Sequence, residues 1–292
     1  MTRKERRRPT RQRTTTKAAR LERKSANEFL AGKVVSLGNL LGGPVLDAAG
    51  RRVGRLNDVV ARWDKDAAHP IVTSLIVKTG RALTRVAVSD VRIEQHRIHL
   101  QTPRLVVSIP ERQPDEIALA RDVLDRQLVD VSGIQVVRAA DVYLSHLDAT
   151  WHLGGVDVSQ RAFWRRTLPR RRTSPRPAHL IDWADLQTFV PRFFDYANDS
   201  PESPAAAAGS AGGSVRLGAP AANLHTLNAR DVAALLRSLE RTNRAQLSTN
   251  VGATTLAEAL RTFNVLERDM ILSELVPHQQ GEIRALLEGE SP

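Results

Sequence analysis

One pattern of residues occurs twice in this chain. Val45-Leu46-Asp47-x-x-Gly50-x-x-Val53-x-Arg55-x-x-Asp58-Val59 recurs as Leu128-Val129-Asp130-x-x-Gly133-x-x-Val136-x-Arg138-x-x-Asp141-Val142, every matched position sharing an offset of 83. The match spans apolar strand positions and polar turn positions alike, so it marks a duplicated structural unit rather than a shared composition. Asp47 with Gly50, and Asp130 with Gly133, read as turns. The carboxylate accepts backbone N–H groups two residues on, and the glycine takes positive φ at little cost. A weaker echo, Ala87-Val88-Ser89-Asp90-Val91 against Asp182-Trp183-Ala184-Asp185-Leu186, has an offset of 95, which leaves twelve extra residues inside the second unit. They fall in Arg165–Pro177, where arginine and proline dominate.

Short runs of Val, Ile and Leu surround these turns: Val34-Val35, Pro44–Asp47, Val53–Val60, Val72–Val77, Arg85–Val88 and Arg97–Leu100. Runs of this length, broken by Gly, Asp and Pro, predict strands, and many short strands predict a small antiparallel barrel or sandwich. Trp63, Trp151 and Trp183 each adjoin such a run and are expected in the core.

After Asn198 the texture changes. Asp-Ser-Pro-Glu-Ser-Pro followed by Ala and Gly has no periodicity and reads as a linker that leaves the last segment free to move. Beyond it, Val232, Leu235, Leu236 and Leu239 follow helical spacing, with Asn228 as the cap and Asp231 at the third helical position. A second helix runs from a Thr254 or Thr255 cap to Phe263, a third covers Leu266–Leu275 and stops at Pro277, and a fourth covers Gly281–Leu287. Ala233–Leu236 and Ala257–Leu260 are related by an offset of 24, as are Arg244–Leu247 and Arg268–Ile271, which predicts stacked helical hairpins forming a small superhelix. The expected fold class is therefore multi-domain α+β, with two small antiparallel β-barrels and an all-α helical-repeat domain. Its boundaries are a basic tail at 1–28, barrels at 29–105 and 119–195 with a basic loop at 165–177, a connector at 106–118, a linker at 196–223 and helices at 224–288.

The net charge of +11 is localised. Residues 1–24 hold eleven Lys or Arg against Glu5 and Glu22, and Arg161–Arg176 holds seven arginines and no acid, so the rest of the chain is mildly acidic. A tail with so few apolar residues is expected to be disordered. Cysteine is absent, which excludes disulfides, thiolate metal sites and cysteine nucleophiles. No apolar run has the length of a signal peptide or a membrane span, so a cytoplasmic protein is expected.

The Asp47–Gly54 turn with Asp58-Val59 and Val72–Val77 resembles the PRC-barrel domain, a module of the photosynthetic reaction-centre H subunit and of a ribosome-maturation factor. The second copy departs from that pattern at Val137, where the first has Gly54. Leu227-Asn-Ala-Arg-Asp231-Val-Ala-x-Leu-Leu236 and Leu256-Ala-Glu258-Ala-Leu260 resemble the intracellular N-domain of MgtE-type magnesium transporters. In that family the N-domain precedes CBS domains and a channel, and its acidic surface takes part in sensing Mg²⁺. The resemblance implies a regulatory portion, not itself a transporter, with Asp231 and Glu258 as candidate Mg²⁺ ligands and a CBS-domain or membrane transporter protein as partner.

The eight histidines are scattered, and His96 and His99, the one close pair, would point to opposite faces of a strand. No nucleophile elbow, phosphate-binding glycine loop or zinc-protease motif occurs, so the reading is non-enzymatic. The rival reading is RNA or ribosome association. Arg6, Arg7, Arg8, Arg165, Arg166, Arg170, Arg171 and Arg172 could neutralise phosphates of nucleic acid or an anionic membrane surface, with Trp164 beside them for stacking.

Overall fold

The computed structural model describes residues 33–63, 69–94, 97–101, 113, 115–159, 177, 179–191, 215–217, 224 and 227–289. Its fold is mixed α+β, a curled β-sheet with helices following it. The first repeat contributes β1 (Lys33–Ser36), a single helical turn α1 (Leu37–Leu40), β2 (Pro44–Leu46), β3 (Arg52–Arg62), β4 (Ile71–Thr79), β5 (Ala82–Ala87), β6 (Val91–Ile93) and β7 (Ile98–Leu100). The second contributes β8 (Glu116–Ala118), a wide turn over Leu119–Val123, β9 (Gln127–Asp130), β10 (Gln135–Arg138), β11 (Asp141–Leu147), β12 (Thr150–Asp157), β13 (Leu180–Asp182) and β14 (Leu186–Pro191). All six strand runs expected in the first repeat are present, with β6 added.

The repeats do not fold side by side. Each lends its first strand to the other: β1 pairs with β11, Val35 opposite Leu144, and β8 pairs with β3, Ala118 opposite Val60. β4 and β12 meet at Ile71 and His152, where the Leu153 N–H also donates to Pro70 O at 2.8 Å. One eleven-stranded sheet results. A single core runs through it, with Val35, Val59 and Leu75 of the first repeat buried together with Ile117, Val142 and Leu153 of the second. Trp63, Trp151 and Trp183 lie in this core as expected, the Trp63 and Trp183 rings 6.0 Å apart.

The repeats differ where Gly54 is replaced by Val137. A Cβ on Gly54 would stand 2.8 Å from Lys78 O and 2.7 Å from Val77 Cγ1, so β3 can run unbroken against β4 only with glycine there. Val137 cannot approach a neighbouring strand that closely. The second repeat breaks two residues later, at Ala139-Ala140, into β10 and β11, and β10, which holds Val137, joins a separate sheet of order β10-β9-β14-β15.

The two turns also differ. Gly50 has φ +77° and Asp47 accepts the Ala49 and Arg51 N–H groups, as the spacing predicts. Gly133 does not carry the positive φ of its own turn; the next residue, Ile134, does, at +51°. Gly133 is needed for room instead, since a Cβ there would meet Asp130 Oδ2 at 2.3 Å. The Gly133 N–H donates to Asp130 Oδ1 at 2.7 Å.

The stretch read as a linker holds β15 (Val215–Leu217), which pairs with β14. Backbone pairing with the open edge of β14 explains a strand where composition offers none. The helices are α2 (Ala229–Ser238), α3 (Arg241–Asn250), α4 (Ala253–Leu260), α5 (Val265–Ser273) and α6 (Pro277–Glu288), whose first residues fall every twelve positions. α2 has the Asn228 cap expected of it. α4 begins after Gly252, ahead of both threonines, and Pro277 starts α6 as well as ending the segment before it. α3 was not legible as a helix, because Leu247 and Ser248 alone are buried along it and leave no apolar stripe.

Candidate interaction surface

The helical segment is seated on the second repeat. α2 packs against β10 and α3 against β15, and Val129 and Phe189 are buried in one core with Val232, Leu235, Leu236 and Leu260. Gln127 Oε1 accepts the Glu240 N–H at 2.9 Å, and Arg138 stands 4.0 Å from Glu240. The expected freedom of the last segment is thus replaced by a packed interface. Repeat asymmetry explains the choice of side. The second repeat offers Val129, Val131, Val136 and Phe189 where the first has Leu46, Ala48, Val53 and Glu94, and Gln127 where the first has Pro44. The first repeat keeps Leu46 and Val53 on this face but sets the charged Glu94 where Phe189 stands and has no side-chain acceptor at Pro44.

Within the segment two arginines 24 positions apart each donate to a backbone carbonyl. Arg237 donates to Thr262 O at 3.0 Å and lies over the Phe263 ring, and Arg261, one period on, donates to Leu286 O at 2.7 Å. A bidentate ion pair fastens the far end of α5: Arg244 donates through Nε to Glu274 Oε2 at 2.9 Å and through Nη2 to Oε1 at 2.6 Å, and the Glu274 carboxylate is buried. Such a fork is geometrically specific and fixes the rotation of α5 relative to α3.

That rotation leaves an apolar face uncovered. α5 starts with a capping box, the Asn264 side chain accepting the Glu267 N–H at 2.9 Å while Glu267 Oε2 accepts the Asn264 N–H at 3.4 Å. Ile271 and Leu272 turn into the core. On the opposite side Leu266 is 82% exposed and Met270, one turn on, is 48% exposed. Val265 at 60% and Val276 at 54%, before and after the pair in the chain, are exposed too. Among the described residues Ile134 is the one other large apolar side chain so open to solvent. One period before Val265, Leu266, Met270 and Val276 stand Arg241, Thr242, Gln246 and Gly252, so the helical period itself does not call for apolar residues here. The signal was present in the sequence as Leu266 and Met270 at i, i+4, on the side away from Ile271 and Leu272.

The candidate metal ligands stand apart from this face. Asp231 is half-buried in the first turn of α2, its N–H donating to the Asn228 side chain at 3.0 Å, and Glu258 is exposed on α4. Among the described residues no three His, Asp or Glu side chains gather as a metal site. Asp231 and Glu258 lie on different helices, and no hydrogen bond or ion pair among the described residues joins them. His99 lies on β7 with Nε2 3.7 Å from Glu94, and His96 is outside the described residues. So are the basic tail at 1–28, Trp164 and all eight arginines named for polyanion binding, Arg6, Arg7, Arg8, Arg165, Arg166, Arg170, Arg171 and Arg172.

Elsewhere the charged groups are absorbed by the fold. Glu116 on β8 accepts both guanidinium arms of Arg85 on β5 and the Gln113 N–H. Burial pushes its carboxyl up, and the Arg85 hydrogen bonds with the Gln113 N–H outweigh this and hold it below the usual carboxylate range. Asp185 goes the other way: burial raises it, the Ser132 hydroxyl at 2.8 Å opposes, and Asp182 and Asp130 nearby raise it further. No helix among the described residues is long and apolar enough to cross a membrane. No family model matches the chain, and no curated protein matches it either.

Proposed function

We propose that this chain is a non-enzymatic, cytoplasmic regulatory protein that presents a helical unit to a protein partner. In this reading the two repeats are PRC-barrel-like modules that exchange their first strands, and the helices form a short superhelical array related to magnesium-transporter N-domains. The observation that carries the reading is the exposed Leu266–Met270 face on a helix whose orientation is locked by Arg244 and Glu274. A solvent-exposed apolar face on an otherwise well-packed unit supports a binding role. The partner is a CBS-domain or membrane transporter protein, and Asp231 with Glu258 supplies Mg²⁺ responsiveness.

A photo-crosslinking residue in place of Leu266, introduced in native cells with and without Mg²⁺, tests the partner. Capture of a CBS-domain or transport protein is the expected result. Recovery of ribosomal RNA or ribosomal proteins alone, lost on deleting residues 1–24, supports RNA association instead. Mg²⁺ itself is tested by titration calorimetry. Saturable binding weakened by Glu258→Ala is expected, and no heat at millimolar Mg²⁺ removes the metal from the proposal.

A further inference from the structure

The charges around Leu266 and Met270 restrict what can cover them. Glu267 and Asp269 flank the pair along α5 on its two sides, both exposed, and neither forms an ion pair among the described residues. A second copy of the chain fits poorly. An antiparallel α5–α5 contact that sets Leu266 of one copy on Met270 of the other places Glu267 beside Glu267 and Asp269 beside Asp269, carboxylate on carboxylate. Anionic lipid and nucleic acid meet the same repulsion. Arg268, between the two acids in sequence, is on the half-buried side and does not offset them at the rim.

We infer that α5 is a docking face for a basic amphipathic helix of a partner protein. Two apolar residues one turn apart on the partner would cover Leu266 and Met270, and Lys or Arg on both sides would meet Glu267 and Asp269. The inference rests on the proposed presenting role and adds the chemistry of what is presented to.

The full-length protein is titrated into a fluorescein-labelled Leu/Lys helical peptide of about 14 residues, roughly four turns, and anisotropy is read. A second peptide has the same composition with the leucines scattered round the helix, and a third has Glu in place of Lys. Saturable binding of the first peptide alone is expected. Leu266→Glu weakens it about tenfold, and the pair Glu267→Lys with Asp269→Lys weakens it and flattens its salt dependence. Thr242→Glu, at the matching place on α3, leaves it unchanged. Equal binding of all three peptides, or equal effects of Leu266→Glu and Thr242→Glu, overturns the inference. A transporter cross-linked at position 266 by a protein without affinity for the Leu/Lys peptide would leave the regulatory role standing and remove only the basic helix.

Discussion

Asp58 and Asp141, at equivalent places in the two repeats, each clamp the backbone that opens the other repeat. Asp141 Oδ1 accepts the Gly38 N–H at 2.9 Å and Oδ2 accepts the Ser36 hydroxyl at 2.6 Å. Asp58 Oδ1 accepts the Ala120 N–H at 2.7 Å. Each also accepts the N–H of its own next residue, Val142 or Val59. The recurring Asp is thus a lock between repeats, formed where a strand of one meets the first turn of the other.

Replacing either Asp by Ala leaves buried N–H donors without an acceptor. Asp141→Ala is expected to cost about 2–4 kcal/mol, measured by urea unfolding, with Asp58→Ala close behind. Because each clamp joins both repeats, amide exchange should accelerate in both rather than in the mutated one alone.

Acid sensitivity follows from Glu116. Its folded pKa is depressed, so its stabilisation is present above the ordinary carboxylate pKa and is lost as pH falls through the lower folded value. His152 adds an earlier step. Burial lowers its pKa, with the His69 carbonyl opposing, so its contribution fades as pH drops below about 6.5. Thermal midpoints across pH 3–7 should show both slopes, the lower one missing in Glu116→Gln. A Glu116→Gln profile parallel to that of the parent refutes this.

Asp185 predicts the reverse sign. A raised folded pKa means stability falls as pH rises from the ordinary carboxylate value through the folded one. Asp185→Asn keeps an acceptor for Ser132 and removes the half-buried charge, so it should raise the thermal midpoint at neutral pH and not at pH 3.

Ile134 is a β-branched residue at φ +51°. Ile134→Gly relieves that strain and is expected to stabilise the protein by about 0.5–1.5 kcal/mol in spite of the added chain entropy. A loss of stability on that substitution would show that the turn depends on the Ile134 side chain.

The seating of the helices on the second repeat rests on an apolar contact. Phe189→Asp should deprotect α2 and α3 in hydrogen exchange while β3 and β4 keep their protection. Uniform deprotection would mean that the two parts unfold together.

The strands of the first repeat, the recurring turns, the tryptophans of the core and the Asn228 cap were legible because each is set by local periodicity or by residues a few positions apart. The duplicated unit was legible because both copies carry the same turn chemistry. Less visible were α3, which lacks an apolar stripe, the strand in the Gly/Ala-rich stretch, and the left-handed residue at Ile134 in place of Gly133. In each of these a distant neighbour or a crowded carboxylate decided the outcome.

The sequence by itself therefore determined that the chain carries a twice-occurring turn-and-strand pattern in its β part and that helices follow it. Tertiary structure alone decided that the repeats exchange their first strands, that β10 joins a second sheet, and that the helices sit on Val129 and Phe189. It also decided that Leu266 and Met270 stay uncovered. The reason is physical: periodicity says which residues of an element want burial, whereas which surface provides it depends on pairings between residues far apart in the chain.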